Sequence, residues 1–153
     1  MKRVVIGVGN QYRRDDAAGI VVARRLGSGG HSQTIVMEHD GEPAGLLDAW
    51  DDADVAYVVD AVRGDTPGRV HRFEVGGGDD ARLPPSQPRD SSHALGLGDA
   101  VELGRALGRL PPRLILLGIE GTDFHAGEGL SGEVDRAATT VAEKLADELD
   151  SEV

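Results

Sequence analysis

Short apolar runs alternate along the chain with longer stretches whose apolar residues recur every three or four positions. Residues 3–8 form the first run and lead into Gly7-Val8-Gly9-Asn10. Residues 33–38 and 54–59 read as a second and a third strand, and residues 69–75 as a fourth, alternating one. Residues 114–117 form a fifth, short and continuous. Continuous apolar runs suit strands covered on both faces, as in a parallel sheet. Helical spacing marks residues 16–26, 42–50, 94–107 and 134–149. Ser131 is placed to cap the last of these helices, and Glu133 and Asp135 suit its positive end.

The order β-α-β-α-β-β-α-β-α predicts a three-layer α/β/α fold. Its five-stranded sheet is mostly parallel, in the manner of phosphorylase- and hydrolase-like domains. The segment from Ala61 to Gly68 holds Gly64-Asp65-Thr66-Pro67-Gly68 and is too short for a helical crossover, so the fourth strand runs antiparallel to the third. Residues 76–92, with Pro84-Pro85 and Pro88, read as a long loop of the kind that is often functional. The 153 residues fit one α/β domain, with fraying expected over 150–153.

Composition narrows the chemistry. The net charge of −11 argues against general nucleic-acid binding. The absence of cysteine rules out disulfides, thiolate metal sites and a cysteine nucleophile. No apolar run approaches the roughly 18 residues of a membrane span. Met1-Lys2-Arg3 leads straight into a strand without a cleavage signal, so a cytoplasmic protein is expected.

In an open parallel sheet, ligands bind beyond the carboxyl ends of the strands. Asn10, Asp15 and Asp16 follow the first strand, His39 and Asp40 the second, Asp60 the third and Glu120 the fifth. His93 precedes the helix that feeds the fifth strand, which brings it to the same edge beside Asp16 and Asp60. One imidazole and two carboxylates suit a divalent transition metal better than calcium or magnesium. Plainer roles exist for each. Asp15 or Asp16 could cap a helix, Asp60 could bond its own turn, and His93 could be an exposed helix-start residue. His31, His71 and His125 have no evident partner and read as surface residues. Gly7-Val8-Gly9 is half of a dinucleotide fingerprint, but Tyr12 stands where its third glycine belongs.

Several blocks together resemble the hydrogenase maturation proteases, which trim the large subunit of nickel–iron hydrogenases. They are Gly7-Val8-Gly9-Asn10 with Asp15-Asp16-Ala17-Ala18-Gly19, and Val58-Val59-Asp60-Ala61 with Pro67-Gly68. Ser91-Ser92-His93-Ala94-Leu95-Gly96-Leu97 follows, then Gly118-Ile119-Glu120 with Gly129-Leu130-Ser131 and Val134. The likeness runs from about residue 3 to about residue 147. It implies a three-layer α/β fold and an endopeptidase, a hydrolase whose catalytic and metal-binding residues are Asp16, Asp60 and His93. It also implies a partner, the large-subunit precursor, cleaved once near its C-terminus. The implied metal is nickel supplied by that substrate, with another divalent ion as the alternative in the isolated protein. Asn10, Asp40 and Glu120, at the same edge, are the candidates for binding the substrate.

Three positions depart from the family pattern. Asp16 is often glutamate in relatives, Asp40-Gly41-Glu42-Pro43 replaces a more usual Asp-Gly-Gly-Thr, and Gly121 stands where proline is common. The last two bear on substrate choice. No His-Glu-x-x-His helix and no Gly-x-Ser-x-Gly elbow is present. Metal-assisted peptide hydrolysis is the expectation: either a metal-bound water attacks the scissile carbonyl, or a carboxylate such as Asp16 acts as general base while the metal only positions the substrate, and the identity of the base is left open. Two other readings stand beside it: a noncatalytic nickel-dependent chaperone that senses metal loading, and a nucleotide-binding domain.

Overall fold

The computed structural model describes residues 1–27, 33–76 and 97–151. Its five strands are β1 (Arg3–Val8), β2 (Thr34–His39), β3 (Val55–Arg63), β4 (Val70–Gly76) and β5 (Arg113–Gly121). They form one sheet in the order β2-β1-β3-β5-β4. The first four strands of that order are parallel, and β4 runs antiparallel to β5 at the edge. The fourth strand therefore opposes the third in direction, as expected, but pairs with β5 on its far side.

Helices cover both faces. On one face α1 (Ala18–Gly27) and α4 (Gly132–Ser151) bury Val22, Leu26, Val134, Ala138 and Leu145 against Val5, Tyr57, Val59 and Ile115. On the other, α2 (Pro43–Ala49) and α3 (Gly98–Leu107) bury Leu46, Leu47, Ala100 and Val101 against Ile6, Val58 and Leu116. The strands in the middle of the sheet feed both cores through their alternating side chains. They consequently read as unbroken apolar runs.

Local chemistry sets the helix starts. Glu42 caps α2 by accepting from the amides of Ala44 and Gly45, and Pro43 occupies the first turn, where a missing N–H costs nothing. The helix expected from Asp16 divides instead into a 3-10 turn, Arg14–Ala17, followed by α1. α1 can lie this close to the sheet because of Gly19. A Cβ there would stand 2.1 Å from the carbonyl oxygen of Val59 and 2.6 Å from that of Val8.

Two strands are longer than their hydropathy suggests. The run at 54–59 belongs to a strand that continues through Asp60 to Arg63, and the run at 114–117 to one that continues through Glu120 to Gly121. Asp60 and Glu120 lie inside the carboxyl halves of their strands rather than after them. The reason is mutual pairing: β3 and β5 remain in register from Val55↔Arg113 to Arg63↔Gly121, so the ladder carries the polar residues along. Residues 94–96 of the expected third helix, and all but Gly76 of the expected 76–92 loop, lie outside the described residues.

Candidate active site

The sheet order creates a crevice. From β1 the chain crosses to β2 on one side, and β3 lies on the other, so the β1/β3 boundary is a topological switch point, where α/β proteins bind ligands. Pairing between β1 and β3 ends at Gly7↔Val59. Asp60 is the next residue on β3, the first beyond the closed part of that boundary. It is 6% exposed. Strand alternation sets it on the same face as Val58 and Val62, the face covered by α2 and α3.

Asp60 Oδ1 accepts from the amide of Ala61 at 2.7 Å. Burial pushes its carboxyl well above the ordinary value; the bond from Ala61 opposes this, and the nearby Asp16 carboxylate adds to the rise. Asp16 itself is partly exposed on the 3-10 turn. It lines a cleft of about 440 Å³ with Gly9, Asn10, Tyr12, Glu38 and Asp40. Gly9 is required here, because a Cβ would stand 2.0 Å from the carbonyl oxygen of Asp16. The structure thus brings Asp16, Asn10 and Asp40 together, with Asp60 in electrostatic reach of Asp16.

The other expected site residues are placed as follows. Asn10 Oδ1 accepts from the amide of Tyr12 at 2.9 Å, a bond that leaves the donors of its NH₂ group uncommitted. Asp40 accepts from the amide of Glu42 at 3.0 Å and keeps 83% of its side chain exposed. Glu120 lies apart from this cleft. One of its oxygens accepts from the amide of Thr66 at 3.0 Å and the other meets His71 Nε2 at 3.0 Å. Its carboxylate therefore pins the β3–β4 turn to β5. His93 lies outside the described residues, and among the described residues no three acidic or imidazole side chains converge on one point.

Several residues have roles that the sequence did not disclose. Asp15 is fully buried. Its Oδ2 accepts from the amides of Thr122 and Asp123, each at 3.1 Å, and its Oδ1 from the amide of Ser131 at 2.8 Å. The Ser131 hydroxyl donates to the same carboxylate at 3.0 Å, so it is turned toward Asp15 rather than serving α4 as its side-chain cap. Asp15 is thus a clamp on the loop from β5 to α4, while Asp16, one residue on, faces the cleft. Arg14, just before them, has a left-handed φ of 46°, a conformation that non-glycine residues adopt only where their surroundings hold them. His71 is not a lone surface residue but is bound to Glu120 and stacked on Phe73. His125 is exposed, and its ring meets Asp123 at 3.0 Å. His31 lies outside the described residues.

Two carboxylates at a switch point, one buried and held toward its neutral form and one open to solvent, form a pair suited to proton transfer or to sharing a cation. A mostly parallel sheet with helices on both faces and this acidic crevice at its switch point defines an α/β protein of the doubly wound type. The comparisons specify the family. The HycI model, described as hydrogenase maturation protease, matches residues 29–148, and the chain belongs to the hydrogenase maturation protease family. That family is one of hydrolases that cut peptide bonds.

Solved structures agree in fold. An endopeptidase from Escherichia coli, solved in solution, superposes with a TM-score of 0.80 at 23% identity, covering 99% of this chain and 94% of that one. The hydrogenase maturating endopeptidase HybD from E. coli gives 0.74 at 22% identity, with 99% and 94% covered. The [NiFe] hydrogenase maturation protease HybD from Thermococcus kodakarensis gives 0.72 at 23%, with 97% and 99% covered. No curated protein matches the chain in sequence. Among the described residues, no helix is long and apolar enough to cross a membrane.

Proposed function

We propose that this chain is a cytoplasmic endopeptidase that removes the C-terminal peptide of a nickel-loaded nickel–iron hydrogenase large-subunit precursor. The observation that carries the proposal is the buried carboxylate of Asp60 beside Asp16 at the switch point of a maturation-protease fold. A carboxylate buried next to a second one lacks compensating charge, and a divalent cation supplies it. Nickel belongs to the substrate in this scheme, since the chain offers no cysteine to retain it.

Asp16, Asp60 and His93 are the residues that would meet the ion. A cation held there would polarise a carbonyl or lower the pKa of a water. The chain's own groups do the rest. Asp16, open to the cleft, would take a proton from the attacking water in this proposal. Asp60, oriented by the amide of Ala61, would give up its proton on meeting the cation and supply a negative charge to it. The side-chain amide of Asn10 can donate to a substrate carbonyl, and the exposed Asp40 can accept from a substrate N–H. Glu120 acts at one remove by holding the turn after β3.

The test is incubation of nickel-loaded and nickel-free precursor with the protein, followed by mass spectrometry of the precursor. The expected result is one C-terminal truncation, in the loaded sample alone. A stable complex with unchanged precursor mass would instead support a noncatalytic chaperone and overturn the peptidase reading.

A further inference from the structure

We infer that Arg63 is a specificity-determining residue that binds a carboxylate of the substrate tail in a second cleft, beside the candidate active site. The inference rests on the proposed peptidase function and extends it.

The second cleft, about 430 Å³, is lined by Arg63, Gly64, Asp65, Gly121 and Thr122, where β3 and β5 end side by side. Many arginines of this chain are engaged: Arg14, Arg24, Arg25, Arg72, Arg105, Arg109 and Arg113 all pair with carboxylates. Arg63 differs. Its guanidinium lies 4.4 Å from the centroid of the Phe124 ring, and no carboxylate among the described residues pairs with it. Asp65 lines the same cleft without forming an ion pair to it, so no carboxylate among the described residues pairs directly with this charge.

Stacking on an aromatic face holds a guanidinium flat while its N–H groups stay available at the edges. That is the presentation that grips a carboxylate through two parallel hydrogen bonds. The platform is itself fixed. Phe124 is 8% exposed, its carbonyl accepts from Arg13 Nε at 3.3 Å, and its loop is bound at Thr122, Asp123 and Ser131 by the buried Asp15. Gly64 and Gly121 are close approaches, since a Cβ at Gly64 would stand 2.5 Å from Glu120 Cδ and one at Gly121 2.7 Å from Asp15 Cβ. In a protein of net charge −11, an arginine without a carboxylate partner among the described residues favours an acidic group.

Arg63 follows Asp60 by three residues on one strand, about 10 Å along it, and strand alternation turns it to the opposite face, where Phe124 packs. A substrate that meets both must cross the carboxyl edge of the sheet between them. In this proposal the bound carboxylate belongs to the removed tail. It is either an acidic side chain or the tail's own terminal carboxylate.

The experiment compares wild type, Arg63→Ala and Arg63→Lys on the nickel-loaded precursor from the same organism. Both the Kd of the complex and the processing kinetics are measured. Three precursor forms are used: native, with tail acids converted to amides, and with the tail lengthened by neutral residues that move its terminus. Arg63→Ala should raise Kd and KM by about tenfold on the native tail with kcat little changed, the loss of one charge-assisted bidentate contact. Lysine should restore part of this. The difference between wild type and Arg63→Ala should vanish on one altered tail, which identifies the carboxylate's source. Equal Kd values for wild type and Arg63→Ala on the native tail would overturn the inference, as would a deficit that persists on both altered tails. Wild type that binds in an Arg63-dependent way but never cuts would overturn the peptidase reading and leave this one standing.

Discussion

Asp60→Asn is expected to abolish precursor processing while raising the protein's thermal stability at neutral pH. The two effects have one origin. Asp60 is buried, and burial together with the Asp16 carboxylate pushes its carboxyl well above the ordinary value. In the unfolded chain the same group has an ordinary pKa, near 4. Between the two values the folded state holds the proton more tightly than the unfolded state. Stability therefore falls as pH rises through that window, so above the ordinary carboxylate range burying Asp60 costs the folded protein stability. Asparagine has no charge to bury, keeps the shape, and retains an oxygen for the amide of Ala61. Each kcal/mol recovered should raise the thermal midpoint by roughly 2–4 °C for a domain of this size. The gain should shrink as pH is lowered toward the ordinary carboxylate range, where Asp60 is protonated in both states. Thermal melts of both proteins across pH, beside the precursor assay, measure both effects. A variant that is less stable than wild type at neutral pH, or that still processes, contradicts this assignment.

Asp15→Ala should produce the opposite phenotype one residue away from Asp16. The amides of Thr122, Asp123 and Ser131 and the Ser131 hydroxyl all converge on the Asp15 carboxylate. Removing it leaves these donors without their acceptor. Each charge-assisted bond is worth about 1.5–3 kcal/mol, though such terms do not simply add. A loss of at least about 3 kcal/mol is expected, a large part of the roughly 5–15 kcal/mol that holds a typical domain together. Asparagine should rescue poorly, because both oxygens of Asp15 accept and an amide would turn an NH₂ toward one set of donors. Asp16→Asn should leave stability nearly unchanged, since Asp16 lies partly exposed in the cleft. Denaturant unfolding followed through the buried Trp50 distinguishes the two positions.

The contrast between Asp15 and Asp16 shows which features the sequence can and cannot reveal. The layered fold was legible because strands buried on both faces leave continuous apolar runs, and helices leave a three-to-four spacing. The carboxyl-edge cluster followed from topology alone, which is why Asn10, Asp16 and Asp40 meet as expected. Strand ends were less legible, because the ladder between β3 and β5 carries Asp60 and Glu120 inside the sheet although their side chains are polar. Which of two adjacent aspartates faces inward depends on the 3-10 turn and on a loop more than 100 residues away in sequence. No periodicity encodes that. The pairing of His71 with Glu120 has the same character, since it requires knowing that β4 lies beside β5 and not beside β3.

In the proposed mechanism His93 acts with Asp16 and Asp60 on one substrate-borne cation, and every other step depends on that convergence. Mass spectrometry of nickel-loaded precursor incubated with folded His93→Ala tests it most directly. The precursor should keep its full mass in that sample while wild type removes one C-terminal peptide; truncation by His93→Ala at the wild-type rate would contradict the mechanism.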